Sequence, residues 1–339
     1  MNDAYEALRH GAAVVDRTDR GLIAVGGSDR AEYLQGQLTN DIAALEDGAQ
    51  CYAAYLTPQG RLITDMEVLS IGEHLLLDVH EDSTAALVAK FGGLVFTEDV
   101  EFADWTNTWL SCGVTGPAAP ERLTQALRTV DVGPTGLDFV MSSTPRVGRC
   151  TSRRGDLIVA RTDSLGGLGF DLWVEREVVS DLRRALAGAG CVAADRVTVD
   201  TFRIENGRPV FPVDMDDRTI PLEAGIESRA ISFDKGCYVG QEVIIRIMHR
   251  GQGRVARRLV GLKVEATELA SGPGKGARLW HDNAEVGQVT SVTWSPLCDQ
   301  VIALAYVGRD LAHPDVALEF DSADGRRRAV VTALPFTSG

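Results

Sequence analysis

The chain has 339 residues, 45% hydrophobic and 24% charged, the balance of a globular protein, and it is too long for one ordinary core, which implies two or three domains. Its formal charge of −14, from 34 Lys and Arg against 48 Asp and Glu, repels polyanions and argues against direct nucleic-acid binding and against anionic membrane surfaces. No apolar run reaches the roughly 18–20 residues of a membrane span, the start Met1-Asn2-Asp3-Ala4-Tyr5-Glu6 lacks a leader pattern, and Cys51, Cys112, Cys150, Cys191, Cys237 and Cys298 form no Cys-x-x-Cys pair; the expectation is a cytoplasmic protein with reduced thiols and no metal site.

In chain order, Gly21–Gly27 reads as a strand, and Ser28 reads as the N-cap of a helix carrying Tyr33, Leu34 and Leu38 and ending near Thr39-Asn40-Asp41. A meander follows: Cys51–Leu56, a turn at Thr57-Pro58-Gln59-Gly60, Arg61–Ile71, a turn at Gly72-Glu73, and His74–Val79. A helix over Ser83–Phe91, strands near Val100–Trp105 and Trp109–Thr115, and a helix from Pro120 to Thr129 come next. Val147–Arg161 and Gly169–Glu175 read as strands, Arg176–Gly188 as a helix, and Asp200–Asn206 as the start of another helix or turn. Arg208–Glu227, rich in proline and carboxylates, reads as a long ordered loop of the kind that usually carries function. Gly240–Arg250 reads as a short helix with Gln241 and Glu242 in its first turn. Beyond Arg257 the texture changes to short strands, Leu259–Val264, Arg278–His281, Glu285–Trp294, Val301–Val307, Asp315–Phe320 and Arg327–Ala333, which predicts a separate all-β barrel or sandwich. The domain expectation is 1–253 and 254–339.

Several familiar signatures are excluded. Gly272–Ala277 lacks the spacing and hydroxyl of a P-loop, and Gly166-Gly167-Leu168-Gly169 precedes a strand, unlike a dinucleotide-binding turn. There is no His-Glu-x-x-His and no Gly-x-Ser-x-Gly. Two strand carboxylates are candidates. Asp65 faces away from Leu62, Met66 and Val68, together with Ile63, Glu67 and Leu69. Asp171 alternates with Phe170, Leu172 and Val174 and shares a face with Trp173, so a carboxylate lies beside an aromatic wall, the pairing that suits a pterin ring. Pattern alone favours ordinary solvent-facing positions for both. The acidic loop Asp214–Glu223 lacks the EF-hand spacing.

The octapeptide Lys235-Gly236-Cys237-Tyr238-Val239-Gly240-Gln241-Glu242 gathers a thiol, a phenol, an amide, a carboxylate and an ammonium around two glycines. A nearby lysine and a following helix N-terminus favour the thiolate of Cys237. Arg246, His249, Arg250, Arg254, Arg257 and Arg258 form a basic stretch in an acidic chain, suited to a ligand's glutamate tail, a nucleic acid or an acidic partner, or to a solvated helix end and linker.

The octapeptide resembles the signature of YgfZ-type folate-binding proteins, relatives of the aminomethyltransferase (T-protein) of the glycine cleavage system. Leu34–Asp41, Pro58–Asp65, Arg161-Thr162 with Gly169–Leu172, Arg203-Ile204-Glu205, Pro212–Glu223 and Glu285–Ser291 also resemble the superfamily, in order and across nearly the whole chain. The resemblance implies an α+β fold, with a folate-binding region of two α+β subdomains plus a C-terminal β-barrel, and tetrahydrofolate or a one-carbon derivative as ligand. It implies that Asp65 lies near the folate nitrogens, that Asp171 grips the pterin beside Trp173, that Asn40 and Arg203 help build the site, and that Cys237 is the functional hallmark of the octapeptide. Thr64 stands where T-proteins carry the first Asp of an Asp-Asp pair, Val199 where they carry an arginine, and Ser164 where they carry a tyrosine. The expectation is a tetrahydrofolate-binding protein, leaning away from an enzyme, that supports iron–sulfur cluster assembly or repair, including iron–sulfur enzymes that modify tRNA. The alternatives are a tetrahydrofolate-dependent aminomethyl- or methyltransferase, and a non-catalytic scaffold that docks an acidic or tRNA-bearing partner.

Overall fold

The computed structural model describes residues 3–133, 140–141, 146–266, 268–322 and 325–336. In chain order the elements are α1 (Asp3–His10), β1 (Ala13–Asp16), β2 (Arg20–Gly26), α2 (Arg30–Gln37), β3 (Gln50–Leu56), β4 (Leu62–Ile71), β5 (His74–His80), α3 (Thr84–Gly92), β6 (Glu101–Asp104) and β7 (Trp109–Thr115). There follow α4 (Ala119–Thr129), β8 (Val147–Thr151), β9 (Asp156–Thr162), β10 (Gly169–Glu175), α5 (Arg176–Gly188), β11 (Val192–Ala194), α6 (Arg196–Glu205), α7 (Pro221–Ala224), α8 (Glu227–Ala230) and α9 (Gln241–His249). The last strands are β12 (Arg257–Val264), β13 (Arg278–His281), β14 (Ala284–Ser295), β15 (Gln300–Gly308), β16 (Ala317–Ser322) and β17 (Gly325–Thr332). They fall into two compact units, the first made of residues 1–55, 64–199 and 229–239, the second of residues 56–63, 200–228 and 240–339.

The first unit holds two sheets. One has five strands in the order β3-β4-β5-β2-β6, with the predicted meander at one edge; the other has six, in the order β11-β1-β7-β10-β9-β8. Alternation along β10 decides what each face meets. Phe170, Leu172 and Val174 pack under Leu123 and Leu127 of α4 and Leu182 and Leu186 of α5. The opposite face carries Trp173, which packs with Ile158, Ala160 and Trp109 against Leu22, Ala24, Leu69 and Leu76 of the five-stranded sheet. One face of each sheet therefore meets the other sheet instead of water, and that places the candidate carboxylates.

In the second unit β12-β15-β14-β13-β16-β17 close into a six-stranded barrel, the module predicted from the short strands beyond Arg257. Its interior is filled by residues such as Leu262, Leu279, Val301, Leu318, Phe320 and Val331. The fold is thus a mixed α/β N-terminal region followed by a closed barrel.

Three local expectations change. Ser28 does not cap α2: the N-cap position is Asp29, without a side-chain cap, because the Asp29 carboxylate accepts from the Asp99 amide while the Ser28 amide donates to Asp99. Val147–Arg161 is a hairpin of two strands, since the Ser152 amide and hydroxyl both donate to the Gly155 carbonyl and close a turn. The Arg208–Glu227 segment contains a helical turn, α7, ended by Gly225 in the left-handed region at φ 71°.

Candidate functional site

The tight turn between β1 and β2 presents two arginines. The Asp16 carboxylate accepts from the Thr18 amide and the Arg20 amide donates to the Arg17 carbonyl, so Arg17 and Arg20 project from one short bend. Both reach Asp78, in the middle of β5 and completely buried. Arg17 Nη2 lies 2.7 Å from Asp78 Oδ2, Arg20 Nε lies 3.1 Å from Oδ1, and Arg20 Nη2 donates to the Asp78 carbonyl at 2.7 Å. Arg17 Nη1 sits 2.5 Å from Asp171 Oδ2, a charge contact without the alignment of a hydrogen bond. Arg17 thereby links a carboxylate of the five-stranded sheet to one of the six-stranded sheet, and its guanidinium lies 5.8 Å from the centre of the Trp173 ring.

Asp65 and Asp171 are 7% and 4% exposed, so the solvent-facing reading of both is wrong. The polar side of each strand is turned toward the partner sheet. Tyr52 of β3 donates its phenol to Asp65 Oδ2 at 2.7 Å, and Asp65 Oδ1 is buried with no hydrogen-bond partner among the described residues. Tyr52 is itself covered by the Arg229 guanidinium, 4.8 Å above its ring. Asn40 steadies this corner, donating to the carbonyls of Tyr52 and Arg229.

Glu67, two residues beyond Asp65 on the same face, stands directly opposite Asp78 in the β4–β5 ladder. Like charges in that relation repel. Burial pushes Glu67 up to about 8, Arg229 opposing and Asp171 and Asp78 adding to the effect. Burial likewise raises Asp171 to about 6, with Arg17 pulling it back. Burial works against charge on Arg17, but Asp171 and Asp78 outweigh it and its pKa rises. Burial and Asp65 together push the Tyr52 phenol well above its ordinary value.

The first five residues of the octapeptide, Lys235–Val239, are anchored within the same unit. Lys235 Nζ donates to the carbonyls of Gln35, Leu38 and Asn40, each at 2.7 Å, and so satisfies carbonyls at the C-terminal end of α2. Burial pulls this ammonium down to about 8, while the three carbonyls and the helix end favour its charged form. Tyr238 is buried, with Lys235 5.3 Å from its ring, and the Val239 amide donates to the Gly36 carbonyl. Between these anchors Cys237 is exposed. Gly236 has open space where a Cβ would stand. Gly240, at φ 86°, is the N-cap of α9, and a Cβ there would lie 2.5 Å from the Thr57 carbonyl oxygen. Gln241 and Glu242 open α9, with Glu242 exposed.

Arg203 lies in the second unit. Its guanidinium is buried and pairs with Asp200 at 2.6 Å and Asp214 at 2.8 Å, and donates to the Ser291 hydroxyl at 3.1 Å; Asp214 also accepts from Thr290 and Ser291. That arrangement ties α6 and the acidic loop to the barrel. Arg257 of the basic stretch is likewise engaged, with Glu223 and over the Tyr306 ring.

Two family patterns match: the GCVT N-terminal domain over residues 1–235 and the glycine cleavage T-protein C-terminal barrel domain over residues 257–337. The chain belongs to the glycine cleavage T-protein family. Similar relatives include the aminomethyltransferase of Rippkaea orientalis, 29% identical over 99% of this chain and 89% of the relative, and that of Rubrobacter xylanophilus, 32% identical over 89% and 78%. The crystal structure of glycine cleavage system aminomethyltransferase T from Bartonella henselae has the same fold, with a TM-score of 0.84 and 20% identity over 99% of this chain and 89% of that one.

Proteins of the T-protein family bind tetrahydrofolate. The residues present fit such a ligand, because Asp65 Oδ1 is a buried acceptor without a donor and Trp173 Nε1 a buried donor without an acceptor among the described residues. A reduced pterin offers both N–H groups and lone pairs. Of the sequence candidates, Asp65, Asp171, Trp173 and Asn40 all belong to the unit that carries this cluster, and Asp65 and Asp171 join one charge network through Asp78 and its arginines. Sequence reasoning missed Arg17, Arg20, Tyr52, Glu67, Asp78 and Arg229 as site residues. Asp78 had a signal, a carboxylate inside the apolar run Leu75-Leu76-Leu77-Asp78-Val79. No helix among the described residues is long and apolar enough to cross a membrane.

Proposed function

We propose that this protein is a tetrahydrofolate-dependent one-carbon transferase of the aminomethyltransferase type. The observation that carries the reading is Asp65: buried, oriented by Tyr52 through one oxygen and without a donor on the other. The names of the relatives favour this enzymatic reading over the non-enzymatic one expected from the octapeptide.

Tetrahydrofolate, when bound, supplies the nitrogens that accept the one-carbon unit. Asp65 Oδ1 is the acceptor for an N–H, and its charge favours positive charge developing on a neighbouring nitrogen. Tyr52 fixes the carboxylate while its own raised pKa keeps the phenol a donor. Asp171, charge-paired with Arg17 and beside Trp173, contributes an acceptor for pterin N–H groups. Surrounding apolar residues limit water and strengthen these interactions. The test is methylene-tetrahydrofolate formation by wild type and Asp65→Asn. Turnover falling about 100-fold or more, with tetrahydrofolate still bound in calorimetry, supports the reading; turnover within about threefold of wild type removes Asp65 from the chemistry.

Exposed Cys237 favours a second reading, in which the tetrahydrofolate-binding protein supports iron–sulfur proteins by presenting a thiol to them or to a transient cluster. Lys235 and Val239 hold the loop while the thiol remains accessible. Replacing the chromosomal copy by Cys237→Ser should lower the activity of iron–sulfur enzymes, including tRNA-modifying ones, without altering one-carbon transfer in vitro. Unchanged iron–sulfur activities would leave the transferase reading alone.

A further inference from the structure

We propose that Glu67 is held as a neutral carboxylic acid in the ligand-free site and donates its O–H to an acceptor atom, a carbonyl oxygen or ring nitrogen, of the bound reduced folate. This deepens the transferase reading and rests on the same ligand.

Charge counting supports it. Asp65, Glu67, Asp78 and Asp171 meet Arg17, Arg20 and Arg229 in one electrostatic network, and Arg229 is also paired with Asp163 at 3.0 Å, so carboxyls outnumber cations and protonating one of them relieves the excess. Asp78 is clamped by two guanidinium groups, Asp171 is paired with Arg17, and Asp65 accepts from Tyr52. Glu67 has neither a hydrogen bond nor an ion pair among the described residues, and it faces Asp78 across the ladder. It is therefore the group on which the proton rests at least cost. The other ionisable neighbours are Tyr52 and Cys51 on β3; burial holds the Tyr52 phenol well above its ordinary value and pushes the Cys51 thiol up to about 12, Glu67 contributing to both, so neither adds a cation that would ionise Glu67. Burial raises both Glu67 and Asp171, Glu67 the further of the two, in line with the paired cation that Asp171 has in Arg17 and Glu67 lacks. As a neutral acid Glu67 carries an O–H with no acceptor among the described residues, a donor that a bound ligand can use. Glu67 nonetheless keeps partial exposure on a strand whose central residues are buried, so a ligand can reach it.

Donation by the neutral acid makes binding proton-linked. Tetrahydrofolate affinity should be flat between about pH 7 and pH 8, above the value of about 6 to which Asp171 is raised, and fall by about tenfold per pH unit above pH 8, with proton uptake on binding at pH 9. Glu67→Gln, which keeps a neutral donor, should bind nearly as tightly at pH 7 and lose the pH dependence; Glu67→Ala should bind about tenfold more weakly throughout. Calorimetry in buffers of differing ionisation enthalpy reads both quantities on the full-length protein. Binding without proton uptake in wild type, or with proton release, overturns the proposal for Glu67 while leaving tetrahydrofolate as ligand; no binding at pH 7 removes the ligand reading itself. An infrared pH titration of the ligand-free protein, with Glu67→Gln as reference, tests the resting state independently. A carboxylic C=O band that disappears near pH 8 supports the proposal, and one lost near the ordinary glutamate value of ~4.3 overturns it.

Discussion

Replacing Asp78 by Asn tests whether the charge cluster holds the site together. Asp78 is fully buried and takes two side-chain contacts from Arg17 and Arg20, which are only 12% and 17% exposed. Removing its charge leaves two buried cations sharing Asp171 and the more distant Asp65. Breaking a buried pair in this way costs about 3–5 kcal/mol, and because Asn keeps one oxygen as acceptor, the expected loss is about 3 kcal/mol. The pH dependence supplies a second, independent readout. Glu67 and Asp171 have folded values raised to about 8 and about 6, above the ordinary carboxylate range near 4. For such groups the folded state binds protons that the unfolded chain has already lost. Their favourable contribution is complete below about pH 4 and disappears as pH rises through the folded values. Asp78 contributes to raising both, so Asp78→Asn lowers both and the variant loses less on going to high pH. Urea unfolding followed by tryptophan fluorescence, which reports on Trp109 and Trp173 in the core between the two sheets, should give a stability deficit that is largest near pH 5 and shrinks toward pH 9. A deficit below about 1 kcal/mol, or one constant over that range, would refute the argument that this aspartate organises the cluster.

Three further outcomes follow from the octapeptide. Lys235→Met removes three donors from the carbonyls of Gln35, Leu38 and Asn40 and should destabilise the protein by about 2–3 kcal/mol in urea unfolding; an unchanged midpoint would contradict an anchoring role. Gly240→Ala forces a side chain into the left-handed region and against Thr57, at a cost of about 1–3 kcal/mol, whereas Gly236→Ala meets open space and should shift the thermal midpoint little; equal effects would refute the distinction. Cys237, exposed, should be the first thiol to react with Ellman's reagent, ahead of buried Cys150 and Cys191; Cys237→Ser should abolish that fast phase, and its persistence would mean that another cysteine is the accessible one.

What the sequence revealed and what it hid divide along one physical line. Local periodicity carries the barrel strands, α5 and α9, and it also carries which residues share a face with Asp65 and Asp171. It does not carry what that face meets. A polar face turned to water and one turned to a second sheet have the same alternation, and only the packing of Leu69 and Leu76 against Ile158 and Trp173 separates them. The cation partners were hidden for the same reason, since Arg17 and Arg20 sit in an ordinary turn and acquire meaning only where β5 and β10 bring Asp78 and Asp171 to them. The octapeptide shows the converse. Two segments that each resembled the family, Leu34–Asp41 and Lys235–Glu242, are distant in sequence, yet Lys235 and Val239 bind the carbonyls of Gln35, Gly36, Leu38 and Asn40. Their lysine and backbone are explained by mutual fit within the fold. Cys237 is not: its side chain makes no hydrogen bond or ion pair among the described residues and packs into no core, so folding gives no reason for a thiol there. Among the motif's side chains, that places Cys237 with Asp65 Oδ1 and Glu67 as groups whose interactions the folded chain leaves incomplete, and such groups are where ligands and partners act.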